Sequence, residues 1–200
     1  MNRTRFYQEV TVAFALPPQE RHQHMSDLHA QILDEYVGRA MAITAADAAQ
    51  IVPIEGDERT LAQIVGHIGA WDRFAILTAS DILVGVHPPR MVFDVKGYVE
   101  PDGTTLSFAG IDDFNAYHAR QHATWIWGDI QRFAVDMAQT LYAMFASPYL
   151  LTATRLENTL TYQKRLKNGA MLTDITMGWW LWLTQLEHAA IEHARELGVD

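Results

Sequence analysis

Nine histidines, 24 acidic residues and no cysteine leave this chain imidazole and carboxylate as its means of holding a transition metal. Near the C-terminus the stretch LEHAAIEHAREL places His188 and His193 five residues apart. On a regular α-helix, at about 100° per residue, that pair lies roughly 140° apart around the axis, whereas a spacing of four leaves about 40°. Five is therefore the wrong spacing for two ligands on one unbroken helix. His188 and Glu192 are four apart and neighbours on the helix surface, where an exposed pair is the plain reading.

His67, in IVGHIGAW, sits at the edge of an apolar stripe, and His193 falls on the apolar face of the last helix. A bare imidazole there needs a hydrogen-bond partner or a metal. A lone histidine in such a place is more often a satisfied core residue; two inward histidines on separate helices add weight to the metal reading, because bundle sites are built from facing helices, though neither signal is strong alone. A competing pair stands in FNAYHARQHATW, where His118 and His122 have the four-residue spacing; His122 lies nearer the apolar stripe, His118 at its boundary. The cluster His22, His24 and His29 reads as solvated surface. There is no Gly-rich phosphate loop, no G-x-S-x-G elbow and no H-E-x-x-H pair.

Helices must position these side chains. Pro17 and Pro18 suit a helix start, and Met25, Leu28, Ile32 and Tyr36 continue it at helical spacing to about Ala42. Pro53 and Gly56 break the following loop. Thr60 and Gln63 form a capping-box pattern before the stripe Leu61, Ile64, Val65, Ile68, Trp71 and Ile76, which predicts a second helix to about Leu83. Residues 85 to 110 read as a long crossover or a small hairpin around Pro101, Asp102 and Gly103. Asp112 or Asp113 caps a third, long helix with the stripe Ile126, Ile130, Phe133, Met137, Leu141 and Met144, closed by Ser147 and Pro148. A second connection, 149 to 171, holds a short helix around LLTATRLENTL before Asn168 and Gly169 break the chain. The last helix starts near Thr173 and presents Trp179, Leu183, Leu186, Ala190, His193 and Leu197 on one face. Four amphipathic segments with two long connections define an all-α four-helix bundle with crossovers, one domain over residues 1 to 200.

With 49% hydrophobic and 20% charged residues the chain has the make-up of a soluble globular domain. A net charge of −9 and no Lys/Arg-rich run argue against nucleic acid and against anionic membrane surfaces as partners. The richest apolar run, MGWWLWLTQL, is far shorter than a bilayer span, and the N-terminal apolar patch is interrupted by Gln8 and Glu9, unlike a signal peptide. A cytoplasmic protein is the expectation.

RTLAQIVGHIGAWDRF on helix two, IDDFNAYHARQH opening helix three and the terminal EHAREL resemble the DinB-like (DinB/YfiT-like) superfamily of four-helix bundles. The resemblance covers most of the chain in architecture and a few short motifs in sequence. It implies a divalent metal, zinc or nickel among the choices, held by one histidine on the second helix and an H-x-x-x-H pair on the last. His67 matches the first ligand and His193 the final one. The middle ligand does not transfer, because the residue four before His193 is Ala189. His188 stands one residue out of register and joins the site only through a helix irregularity such as a π-bulge. Glu192 meets the same difficulty, and His122 joins only if helix three leans inward.

Two functions stay open. One is a metal-dependent enzyme resembling the family's thiol-dependent transferases and isomerases, with His67, His188 and His193 as ligands, a low-molecular-weight thiol as cofactor and a small-molecule substrate; the sequence names no general base, Glu192 being the nearest candidate. The other is a non-catalytic bundle with a degenerate site, which Ala189 favours, acting as a small-molecule binder or interaction module. The resemblance also implies a homodimer.

Overall fold

The chain, described by a computed structural model over residues 1–52, 54 and 58–198, is all-α with two small hairpins. The expected breakers Pro53 and Gly56 lie outside the described residues. Helix α1 (Arg3–Ala15) is capped by Asn2 and precedes α2 (Pro18–Ala42), which begins at the proline expected to start it. A single turn, α3 (Ala45–Ala48), leads towards α4 (Leu61–Val84), whose Thr60 and Gln63 form the full reciprocal capping box. Strands β1 (Lys96–Val99) and β2 (Thr105–Ser107) pair antiparallel around the expected turn.

Four features depart from the sequence expectation. Helix α1 was not anticipated; it packs along α2 and buries Phe6, Tyr7 and Val10. The expected long third helix is two, α5 (Ile111–His122) and α6 (Trp127–Ala146). Between them Thr124 turns its hydroxyl back onto the Gln121 carbonyl at 2.8 Å, and the Trp127 indole donates to the Ile43 carbonyl at 3.0 Å, pinning the new start against the end of α2. After α7 (Ala153–Glu157) a hairpin of β3 (Thr161–Arg165) and β4 (Met171–Thr176) turns at Asn168 and Gly169. The last helix, α8 (Met177–Glu187), therefore starts later than expected.

Helices α2, α4, α6 and α8 form the bundle, and α5 leans on α4. Helix α8 is apolar nearly all round, burying Met177, Trp179, Leu181, Trp182, Leu183 and Leu186, which makes it the central element. No helix among the described residues is long and apolar enough to cross a membrane.

That central position corrects the reading of α2. His22 and His29 are buried: His22 Nε2 lies 3.0 Å from the Leu151 carbonyl, and the Trp182 indole donates to His29 Nδ1 at 3.0 Å. His24 alone of that cluster keeps partial exposure, paired with Glu9 at 3.0 Å. On α5, His118 is also buried, in a ring of Tyr98, Phe114 and Tyr117.

Close approach of α4 and α6 requires Gly69. A Cβ at that position would stand 2.9 Å from Ala134 Cα, which is backbone and cannot swing away. Gly69→Ala is expected to lower stability by about 1–3 kcal/mol through overpacking, read from denaturant unfolding.

Burial lowers His29 and His118 from 6.5 to about 3 and raises Asp72 from 3.8 to about 8. Between pH 3.8 and 6.5 the unfolded chain binds both histidine protons while the native chain keeps one proton on Asp72, so unfolding takes up a net proton from these groups. Stability is then lost as pH falls below about 6.5, by about 1.4 kcal/mol per pH unit per net proton. Above 6.5 only Asp72 contributes, and its stabilisation fades as pH rises through about 8. Thermal unfolding against pH should peak near neutrality, and Asp72→Asn should flatten the alkaline side.

Candidate metal centre

Helix α8 does not end as an α-helix. After Glu187 the chain makes one π turn, His188–Glu192, closed by the His193 amide donating to the His188 carbonyl at 3.3 Å. An i→i+5 bond sets residues five apart one above the other, so the spacing that separates His188 and His193 on an α-helix aligns them here.

His67, nearly two turns into α4, faces them. His188 Nε2 lies 3.2 Å from His67 Nε2 and 3.2 Å from His193 Nε2, and all three ligand atoms fall within 4.8 Å of one another. Ligands about 2.0–2.1 Å from a tetrahedral zinc stand about 3.3 Å apart, so the spacing fits one ion. The second ring nitrogen of His193 fits too: Nδ1 is 3.3 Å from Glu196 Oε1, and Arg59 holds Glu196 at 3.5 Å. A carboxylate on Nδ1 places the proton there and leaves Nε2 a free lone pair. His188 Nδ1 is buried with no hydrogen-bond partner among the described residues.

Burial, reinforced by neighbouring His193, pushes His67 down to about 3. His188 is driven well below its ordinary value, by burial first and then by the two other imidazoles. Burial also lowers His193, against the opposing pull of Glu196. At neutral pH the cluster offers three uncharged nitrogen donors.

The three expected ligands are thus brought together. Glu192 and His122 are not in the group. Glu192 turns to the surface, 3.1 Å from Lys167 Nζ, and His122 packs on Trp125 and Phe133, against the bare backbone of Gly66. Ala189 packs towards the core instead of facing His67. Glu196, Arg59 and Lys167 went unnoticed in the sequence; Glu196, three residues after His193, carried the one readable signal.

A cavity of about 340 Å³ opens beside His67 and His188, walled by Trp71, Phe93 and Trp180 and carrying Asn115, Thr184, Gln185, Lys167 and Glu192. The Trp71 indole donates to Asn115 Oδ1 at 3.0 Å, which fixes both. A wider groove of about 650 Å³ along α1 contains none of the three histidines.

Lys167 reaches the cavity because a buried carboxylate holds its turn. Glu187, 1% exposed, accepts from the Tyr7 hydroxyl at 2.7 Å and the Lys167 amide at 2.8 Å, and pairs with Lys164 Nζ at 2.8 Å. Burial alone would raise this carboxyl, but Lys164 and the hydrogen bonds hold it below its ordinary value.

Fold and site together define an all-α bundle with a three-histidine cluster, two members of which line a cavity of about 340 Å³. No protein-family model and no curated protein matches the chain. Its fold is similar to that of mycothiol-dependent maleylpyruvate isomerase, with TM-score 0.56 and 14% identity over 93% of this chain. A histidine-to-alanine mutant of that enzyme gives 0.55 and 15% over 93% of this chain. This chain spans 62% of the length of either structure. At such identity the likeness is one of fold.

Glu187→Gln is expected to cost about 3–5 kcal/mol, because it leaves the Lys164 ammonium buried without its counter-charge. Hydrogen exchange should show β3 and β4 losing protection ahead of the bundle.

Proposed function

We propose that the chain is a DinB-like metalloprotein in which His67, His188 and His193 hold one divalent ion, zinc or nickel, and that it acts as a thiol-dependent transferase or isomerase on a small molecule. The observation that carries this reading is the π turn, which brings a histidine out of α-helical register onto the other two. When bound, the ion would supply a Lewis acid whose open position lowers the pKa of a low-molecular-weight thiol or of water. Mycothiol, named for the similar isomerase, is the thiol class to test first.

The chain's own residues would do the rest. Trp71, Phe93 and Trp180 exclude water from the cavity and so strengthen polar contacts inside it. Lys167 puts a positive charge on the rim, suited to drawing in an anionic substrate. Glu192, the carboxylate lining the same cavity, is placed to take a proton from a thiol or substrate once Lys167 turns to the ligand. Glu196 keeps the His193 proton on Nδ1 throughout.

Elemental analysis of protein purified without a metal-binding tag tests the ligand set. Wild type should carry about one equivalent of zinc or nickel, and His67→Ala, His188→Ala and His193→Ala should each reduce it at least tenfold, roughly the loss that even outer-shell changes produce. Glu196→Gln should weaken binding less. A wild type that takes up no metal on titration would overturn the enzyme reading in favour of a non-catalytic small-molecule binder.

A further inference from the structure

Behind the histidine cluster, deeper in the bundle, lies a second polar group that the proposed function does not use. Tyr36 from α2, Asp72 from α4 and Gln185 from α8 meet with His29 around a cavity of about 20 Å³, otherwise walled by Ile32, Leu33, Ala138 and Leu141 among others. A water needs at least about 10–15 Å³ and two to four polar partners. The cavity is large enough for one water and too small for an organic ligand.

Its chemistry is also complementary to one water. The Tyr36 hydroxyl and Gln185 Oε1 are both buried and take no hydrogen bond among the described residues. Because the Trp182 indole donates to His29 Nδ1, the proton of neutral His29 sits on Nε2, which makes that nitrogen a donor. Asp72 is 3% exposed and, raised by burial to about 8, keeps its proton at neutral pH, so no net charge needs balancing. Donors and acceptors are thus both present, and each bare group would otherwise be costly to bury.

Gln185 lines two spaces at once, this cavity and the larger one that holds His67 and His188. Oxygen and nitrogen of an amide point in different directions from one carbon, so fixing the oxygen inward turns the NH2 outward. We propose that a single water bridging Tyr36, Gln185, Asp72 and His29 locks the Gln185 amide with its oxygen towards the core, making Gln185 a fixed neutral donor to an oxygen or sulfur of the molecule bound beside the histidines. The bridging water stands on its own; only what the donor meets rests on the metalloprotein reading. Gln185 specifies what binds by demanding an acceptor at one point of the wall, and Tyr36 is a positioning residue acting through it.

The test is a high-resolution crystal structure of the full chain, as wild type and Gln185→Met, together with NMR of the Gln185 side-chain amide in wild type and Tyr36→Phe. The expected result is density for one water within hydrogen-bond distance of Tyr36 Oη and Gln185 Oε1, with a long-lived water cross-peak at the Gln185 amide. In Tyr36→Phe, which keeps the ring, that cross-peak should vanish and the amide resonances shift, while the metal content stays at the wild-type value. Gln185→Met should empty the water position. A dry cavity in the wild-type crystal, or Gln185 resonances unmoved by Tyr36→Phe, would overturn the proposal; should Tyr36→Phe not fold, wild-type density and cross-peak decide. A bound water in a protein that takes up no metal would sink the metalloprotein reading and leave this one standing, and a full metal site above a dry cavity would do the reverse.

Discussion

The candidate centre depends on one hydrogen bond, from the His193 amide to the His188 carbonyl. In a regular helix the His193 amide would bond four residues back, to Ala189, and His188 would face away. The extra residue in the turn rotates everything before it relative to everything after it. What holds the turn open lies on either side. Before it, Glu187 is fixed by Tyr7, Lys164 and the Lys167 amide. After it, Glu196 is fixed by Arg59 and leans on His193. With residues 187 and 196 both tied to other elements, the segment between them has its ends determined and must absorb the surplus residue internally.

The same Glu187 ties three parts of the chain to the cavity. Tyr7 belongs to α1, Lys164 to β3, and Lys167 to the hairpin turn, so the first helix and the second connection converge on one buried carboxylate next to a candidate ligand. An ion pair so deeply buried is weak evidence for net stability, since desolvation cancels much of the attraction. Its value here is geometric. It brings the Lys167 ammonium, with its partner Glu192, to a cavity otherwise lined by neutral polar groups and by apolar and aromatic walls.

How much of this was legible depended on whether the determining contact was local. The Thr60 and Gln63 box spans four residues, and α4 begins where it says. Pro18 starts α2 for an equally local reason. The break between α5 and α6 has no proline or glycine to announce it; it is set by Trp127 reaching Ile43, 84 residues away. His22 and His29 looked polar and solvated because the tryptophans of α8 that cover them, Trp179 and Trp182, lie more than 150 residues further along the chain. The site divided in the same way. His67 and His193 were readable from their place on apolar stripes, whereas His188 needed a π turn that no residue type encodes, and only its mismatch with the expected spacing pointed to one.

The arrangement of charge around the cavity follows a single logic. The three imidazoles, kept from taking up a second proton by burial, the Gln185 amide and a protonated Asp72 are all neutral. The formal charges that line the cavity, Lys167 and Glu192, sit together near the surface, where water screens their cost. A divalent ion on the three histidines would therefore keep its full charge towards a bound ligand, undiminished by a carboxylate among its donors. On the proposed function, such a centre would favour a ligand that brings its own negative charge, as a thiolate does. Under the proposed function, an anion drawn to Lys167 would compete with Glu192 for it, so that its entry and release of the carboxylate would be coupled.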